Sequence, residues 1–133
     1  MGLILDTDVI IRAERQEFDL QNWVNAQPET DVSIASITIA ELWHGIERAT
    51  GARRAKREAF LQAFVSSLTV FPYTAQTGLV HAQLWAALVS SGRMIGQYDL
   101  IVAATAVERD CSVVTFNVRH FSSVKGLTII EPR

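Results

Sequence analysis

Three acidic residues stand in unusual company in this chain. Asp6 ends the apolar run Leu3-Ile4-Leu5, Asp99 follows a glycine-bearing segment and opens the most apolar stretch of the sequence, and Glu41 lies among Ala40, Leu42 and Trp43. Each has an ordinary use: Asp6 and Asp99 suit helix N-termini, where a carboxylate accepts free N–H groups. Glu41 suits a solvated helix face, because it projects away from the apolar side formed by Ile39, Leu42, Trp43 and Ile46. Together they suggest more. Carboxylates about 4 Å apart repel by roughly 4 kcal/mol at an effective dielectric near 20. Such clusters survive when one member keeps its proton or a cation sits between them. An all-oxygen ligand set selects a hard ion, Mg²⁺ or Mn²⁺. That ion suits phosphodiester hydrolysis, because it activates water and neutralises charge on phosphate oxygens.

The elements that must position these acids alternate between strand and helix. Leu3-Ile4-Leu5 reads as a strand delivering Asp6 to the cap of a helix from about Val9 to Gln16. Leu20 to Gln27 reads as a helix stopped by Pro28, and Val32 to Ala35 as a second strand. Ser36 or Thr38 then caps a helix to about Ala49, ended by Gly51. Further helices are predicted over Arg53 to Ser67, Thr74 to Ser91 and Leu100 to Val107, the last apolar nearly all round and therefore buried. Strands are predicted at Leu68 to Phe71, Ser112 to Thr115 and Leu127 to Ile130, with a loop from Ser91 to Gln97. Short unalternating apolar strands between helices predict a parallel sheet covered on both faces. Ligands of such sheets gather beyond the carboxyl ends of the strands, where Asp6 falls.

Composition narrows the class. With 133 residues, 49% hydrophobic and 20% charged, the chain reads as one globular domain over 1–133, with no repeat, linker or low-complexity tract. No apolar run reaches the roughly 18 residues of a membrane span. The opening Met-Gly-Leu-Ile-Leu-Asp has no basic region, so no secretory leader is expected, and Asp6 stands where a myristoylation site needs Ser or Thr. The single cysteine, Cys111, rules out an internal disulfide and reads as a small buried hydrophobe. A cytoplasmic location is expected. The net charge of −2 argues against gripping nucleic acid by overall charge, but leaves room for a metal and a local basic patch.

Four segments, in order, resemble the PIN-domain ribonucleases, most closely the VapC toxins of bacterial toxin–antitoxin pairs, including their FitB-like branch. They are Leu-Ile-Leu-Asp-Thr-Asp-Val-Ile at 3–10, Ile-Ala-Glu-Leu-Trp-His-Gly at 39–45, Asp-Leu-Ile-Val-Ala-Ala-Thr-Ala at 99–106 and Val-Val-Thr-Phe-Asn-Val-Arg-His-Phe at 113–121. The C-terminal Lys-Gly-Leu-Thr-Ile-Ile-Glu-Pro is also similar to the family's ending. The resemblance implies a three-layer α/β/α fold with a central, mostly parallel sheet of about five strands. It also implies Mg²⁺- or Mn²⁺-dependent cleavage of RNA, often tRNA or rRNA, a homodimer, and a small antitoxin that inserts a segment into the site. By motif position it makes Asp6, Glu41 and Asp99 the metal acids, and Thr7 and Thr115 hydroxyls supporting them. Asp8 takes a place often held by Asn or Ser, and Asn117 a retained catalytic position.

The fourth motif departs from the family pattern of Thr-Arg-Asn, two residues, then an acid before Phe. Phe116 replaces the arginine and His120 the acid. His120 favours Mn²⁺ or Zn²⁺ over Mg²⁺ as a ligand, or serves as a general acid, or is simply an exposed loop residue. A site weakened in this way leaves a second reading, a module that binds RNA or an antitoxin without cutting. Asp6-Thr7-Asp8 is also similar to the nucleophile motif of haloacid-dehalogenase-like phosphatases, but Ile10 fits that motif poorly and no later Gly-Asp pair follows.

The remaining polar candidates are ambiguous. Arg53-Arg54-Ala55-Lys56-Arg57 reads as a solvated helix start, or as a contact for phosphate or an acidic partner. Arg12, Arg15 and Arg119 are expected to flank the site. His44 reads as a surface residue, His81 as an ordinary helix residue, and Trp23, Trp43 and Trp85 as core or dimer contacts.

Overall fold

Period-two alternation in the central strand organises the molecule. In the computed structural model, which describes residues 2–28 and 31–133, strand β1 (Gly2–Leu5) sends Leu3 and Leu5 to one face of a sheet and Ile4 to the other, all three fully buried. Met1, the first residue of the stretch read above for a leader, lies outside the described residues, as do Glu29 and Thr30.

The chain continues through α1 (Thr7–Glu14), α2 (Leu20–Asn25), β2 (Val32–Ala35), α3 (Ser36–Glu47), α4 (Gly51–Ser66), β3 (Thr69–Phe71), α5 (Ala75–Ser91), α6 (Gln97–Glu108), β4 (Cys111–Val114), α7 (Val118–Phe121) and β5 (Ile129–Ile130). The sheet order is β3-β2-β1-β4-β5, and all pairings are parallel. This is the expected three-layer α/β/α arrangement. Val9 and Ile10 of α1, Leu20 and Trp23 of α2, Leu42 and Ile46 of α3 and Leu61 of α4 cover one face. Leu88 of α5, Leu100, Val102, Ala103 and Ala106 of α6, and Phe121 of α7 cover the other. Because the chain leaves β1 towards β2 and later returns to pair β4 on its opposite edge, the order reverses between β1 and β4. That is the crevice where open α/β sheets hold ligands.

Several local expectations are corrected. The cap of α3 is Ala35, with no side-chain bond, rather than Ser36 or Thr38, and Thr38 is buried with no hydrogen-bond partner for its hydroxyl among the described residues. The helix springs directly from β2, so the sheet sets its start and leaves no loop residue to turn a hydroxyl onto it. Gly51 does not end α3, which stops at Glu47; it opens α4 at φ +61°. Helix α6 begins at Gln97 with Gly96 as cap, so Asp99 lies inside the first turn rather than capping it. The one-turn helix α7 was not expected; a four-residue helix is too short to carry a periodic signal. Cys111 is buried, which pushes its thiol pKa up and makes it the inert hydrophobe expected.

Phe121 anchors α7, and with it the segment from Asn117 to His120, by inserting a fully buried ring against the α6 side of the sheet. Phe121→Ala is expected to lower the unfolding free energy by about 3–5 kcal/mol in urea denaturation. A loss below about 1 kcal/mol would show that this ring is not the anchor.

Candidate active site

The carboxyl ends of β1 and β4 bring the first and fourth motifs into contact. Parallel pairing aligns Leu5 with Val114, and the Asp6 N–H donates to the Val114 carbonyl at 2.9 Å. Asp6 therefore leaves the sheet beside Thr115, only 5% exposed. Its Oδ1 accepts the Thr7 N–H at 2.8 Å, capping α1 as expected, and its Oδ2 accepts the Thr115 hydroxyl at 2.8 Å. The same Thr115 oxygen accepts the Asn117 N–H at 2.9 Å. Thr115 is thus the joint between Asp6 and the α7 segment.

The other acids arrive from three helices. Asp8, in the first turn of α1, accepts the Phe116 N–H at 3.0 Å. Glu41 of α3 accepts the Thr7 hydroxyl at 2.8 Å. Asp99 of α6 meets His120 of α7, with Oδ2 3.1 Å from Nδ1. Glu41 and Asp99 line one hollow of about 330 Å³ with Gly96, Gln97 and Tyr98. Both threonine hydroxyls suggested by the family motif do support carboxylates here.

The electrostatics are those of crowded, half-dry acids. Burial pushes the Asp6 pKa up to about 7, helped by the charges of Asp8 and then Asp99, against the opposing Thr115 and Thr7 hydrogen bonds. Burial also raises Asp8, which is held back by the Phe116 and Val9 N–H groups and the Arg12 charge. Glu41 is raised by burial and by Asp99, and opposed by the Thr7 bond. Asp99 is raised by burial and lowered by His120. Such perturbed acids in a cleft make a functional-site candidate.

As placed, no three His, Cys, Asp or Glu side chains among the described residues converge closely enough to hold an ion directly. The donor set nevertheless fits a hard divalent cation. It is all carboxylate and hydroxyl, it carries unneutralised negative charge, and Mg²⁺ commonly keeps several waters and takes only one or two carboxylates.

Of the sequence-predicted residues, Asp6, Glu41, Asp99 and Asn117 all lie on this rim, with Asp8, Thr7 and Thr115. Arg12 also reaches it: its guanidinium carbon lies 4.0 Å from the centre of the Phe116 ring. Arg119 lines a hollow with Phe116, Asn117 and His120. Arg15 does not flank the acids; it sits at the far, C-terminal end of α1. The Arg12–Phe116 contact has no sequence signature, because the two residues are 104 positions apart and meet only through the β1–β4 pairing. His44 is exposed as expected. His81, read as an ordinary helix residue, does lie in α5, where it is 9% exposed, its Nδ1 lies 2.8 Å from the Tyr73 hydroxyl, and its ring stacks on Trp85.

Comparison with known proteins places these motifs in a lineage. The family described as PIN domain matches residues 3–127. The chain is 30% identical over 131 residues to a protein named Ribonuclease VapC1 from Rickettsia felis, covering 98% of this chain and 96% of that one. It is 35% identical over 96 residues to a protein named tRNA(fMet)-specific endonuclease VapC from Salmonella typhimurium, covering 72% and 71%. A crystal structure described as DNA-bound VapBC from Salmonella typhimurium aligns with a TM-score of 0.88 at 29% identity, over 98% of this chain and 97% of that one.

The raised acids make stability depend on pH with a definite sign. The folded state binds the Asp6 proton up to about pH 7, whereas the unfolded chain releases it near the ordinary 3.8. Without divalent ions, the melting temperature should therefore fall as pH rises from about 4 to about 7 and level off above that. Asp6→Asn should flatten this dependence and raise the melting temperature at pH 8 by several degrees. Scanning calorimetry in chelator checks this, and equal slopes in both proteins would refute it.

Proposed function

The chain belongs to the PIN-domain family and groups with its VapC ribonucleases, and from that premise we propose that it is a metal-dependent endoribonuclease, the toxin of a type II toxin–antitoxin pair. The observation that carries this reading is the electrostatic coupling of three raised acids beside the carboxyl ends of β1 and β4: the charge of Asp99 acts on both Asp6 and Glu41. In it, all 133 residues form one PIN domain, Asp6, Asp99 and Glu41 hold Mg²⁺ or Mn²⁺, and Asn117 completes the catalytic set.

Such an ion, when bound, activates water and neutralises charge on the phosphate oxygens. The chain's own residues do the rest. Thr115 and the Thr7 N–H fix both oxygens of Asp6. Thr7, through its hydroxyl, aims Glu41 at the shared hollow, where Glu41 takes the proton of the attacking water. Asn117, tied by its N–H to Thr115, presents its amide to the phosphate. His120 holds Asp99 in place. Water attacks phosphorus in line, the bond to the 3′ oxygen breaks, that oxygen takes up a proton from solvent, and the products carry 5′-phosphate and 3′-hydroxyl ends.

The substrate in this reading is tRNA or rRNA; the Salmonella typhimurium relative, a protein named tRNA(fMet)-specific endonuclease VapC, supports the former. The inhibitory partner is a small antitoxin. A groove of about 750 Å³ lined by Phe18, Leu20, Val24, Phe60, Phe64 and Leu68 suits an apolar segment of such a protein. The VapBC neighbour supports the pairing. Exposed Trp85 and Val89 on α5, with Met94 beyond it, support a homodimer. No helix among the described residues is long and apolar enough to cross a membrane, which agrees with a cytoplasmic toxin.

Incubation with total RNA tests the reading. Cleavage should require Mg²⁺ or Mn²⁺, stop with chelator, and vanish in Asp6→Asn. Equal cleavage by the variant would place the chemistry elsewhere, and RNA binding without cutting under either ion would favour the binding module.

His120 supplies a separate test. Its imidazole lies 3.1 Å from an Asp99 oxygen, at the position where the family pattern that the fourth segment resembles has an acid. His120→Asp should raise Mg²⁺ affinity in calorimetric titration and Mg²⁺-dependent cleavage with it. Unchanged or weaker binding would tell against a lost ligand.

A further inference from the structure

Folding divides the basic cluster at the start of α4 into two groups. Arg57 crosses to α1 and donates to both Glu14 oxygens, at 2.9 and 3.0 Å. Gly45 leaves room for it, since a Cβ there would lie 2.7 Å from the Arg57 Nη1. Arg54 pairs with Glu47 at 3.0 Å and lies 3.9 Å from Glu58. Arg53 and Lys56 form no ion pair among the described residues, and neither does Arg15 at the end of α1.

These three exposed side chains line one cavity of about 530 Å³ between the end of α1 and the start of α4. Three free cations facing one hollow repel each other. Arg53 also meets the positive end of α4, whose first turn holds no acid to offset it. In a chain of net charge −2, this concave concentration of positive charge is built to receive a polyanion.

Arg12 connects the basin to the acids. It precedes Arg15 by three positions, so the two share a helix face. Its guanidinium rests over Phe116, whose N–H binds Asp8, and its charge acts on Asp8. The cations thus run from the acid cluster down α1 into the basin. An acidic protein segment following that line would meet Asp6, Asp8 and Asp99 head-on. A phosphodiester arriving there would be the substrate.

We infer that the RNA strand being cut runs from the acid cluster over Arg12 into the Arg15–Arg53–Lys56 basin, which holds phosphates beyond the scissile one. This rests on the ribonuclease reading and adds the substrate path to it.

The test compares two Asp6→Asn proteins, one also carrying Arg15→Gln, Arg53→Gln and Lys56→Gln, by fluorescence anisotropy with a labelled single-stranded RNA across a salt series. Losing three phosphate contacts should lower the slope of log affinity against log salt by about 2, and affinity at low salt by about tenfold or more. Matched melting temperatures exclude misfolding, and Lys56→Arg should keep the full slope. In the otherwise native chain, the triple substitution should act on KM for RNA more than on kcat. Equal slopes and affinities, with the native chain still cutting RNA, would overturn the path and leave the ribonuclease reading standing. Loss of binding to an acidic protein partner with RNA binding intact would also overturn the path. Failure of the native chain to cut RNA with either ion would remove the reading itself, and the path with it.

Discussion

The burial of one carboxyl group, Asp6, is the constraint around which this molecule is arranged. A carboxylate at 5% exposure is costly unless it is hydrogen-bonded, paired or protonated. Here the fold supplies two hydrogen bonds, from the start of α1 and from the residue after β4, and surrounds the group with more acids rather than with cations. The result is a buried negative charge that the protein alone leaves under-compensated. That is a poor design for stability, and a suitable one for capturing a divalent cation.

Everything that positions Asp6 follows from the sheet. Parallel β1 and β4 must be neighbours for Thr115 to reach it, and the order reversal between them opens the crevice in which Glu41 and Asp99 can approach from helices on different sides. The helices are secured by packing rather than by caps: α3 and α6 have no side-chain cap bonds, yet Leu42, Ile46, Leu100 and Val102 are fully or almost fully buried. The short α7 has little helical stability of its own, and its place depends on the Phe121 ring. Asn117 and His120 are therefore positioned by a core contact on the far side of their helix turn.

Charge is distributed with the same economy. A net charge of −2 conceals a separation into an acid cluster at one end of α1 and free cations at the other. Part of the basic cluster is spent on fastening α4 to its neighbours through Arg57–Glu14 and Arg54–Glu47. What remains faces a hollow. The rim carries positive charge beside Phe116, because Arg12 comes from another element and lies over the ring.

The sequence by itself determined the layers and the identity of the acids. Apolar runs of strand length between helical periods prescribe a covered parallel sheet, and a charged residue at the end of such a run can only emerge at the sheet's rim. Hence Val32–Ala35 was legible to the residue, and so was the place of Asp6 at the rim, where position alone fits a helix cap as well as a ligand. Glu41 was not: its helix periodicity reads as a solvated face, and only the family motif singled it out. The tertiary structure decided what local patterns cannot encode. It showed that Thr115 and Phe116 meet α1, that Asp99 lies within a helix turn and bonds His120, that His81 is buried against Tyr73, and which basic residues stay unpaired. Two of these contacts, Thr115 on Asp6 and His120 on Asp99, span 109 and 21 positions of sequence. Periodicity reports which face of an element is buried, but strand order and register decide what that face and its ends will touch.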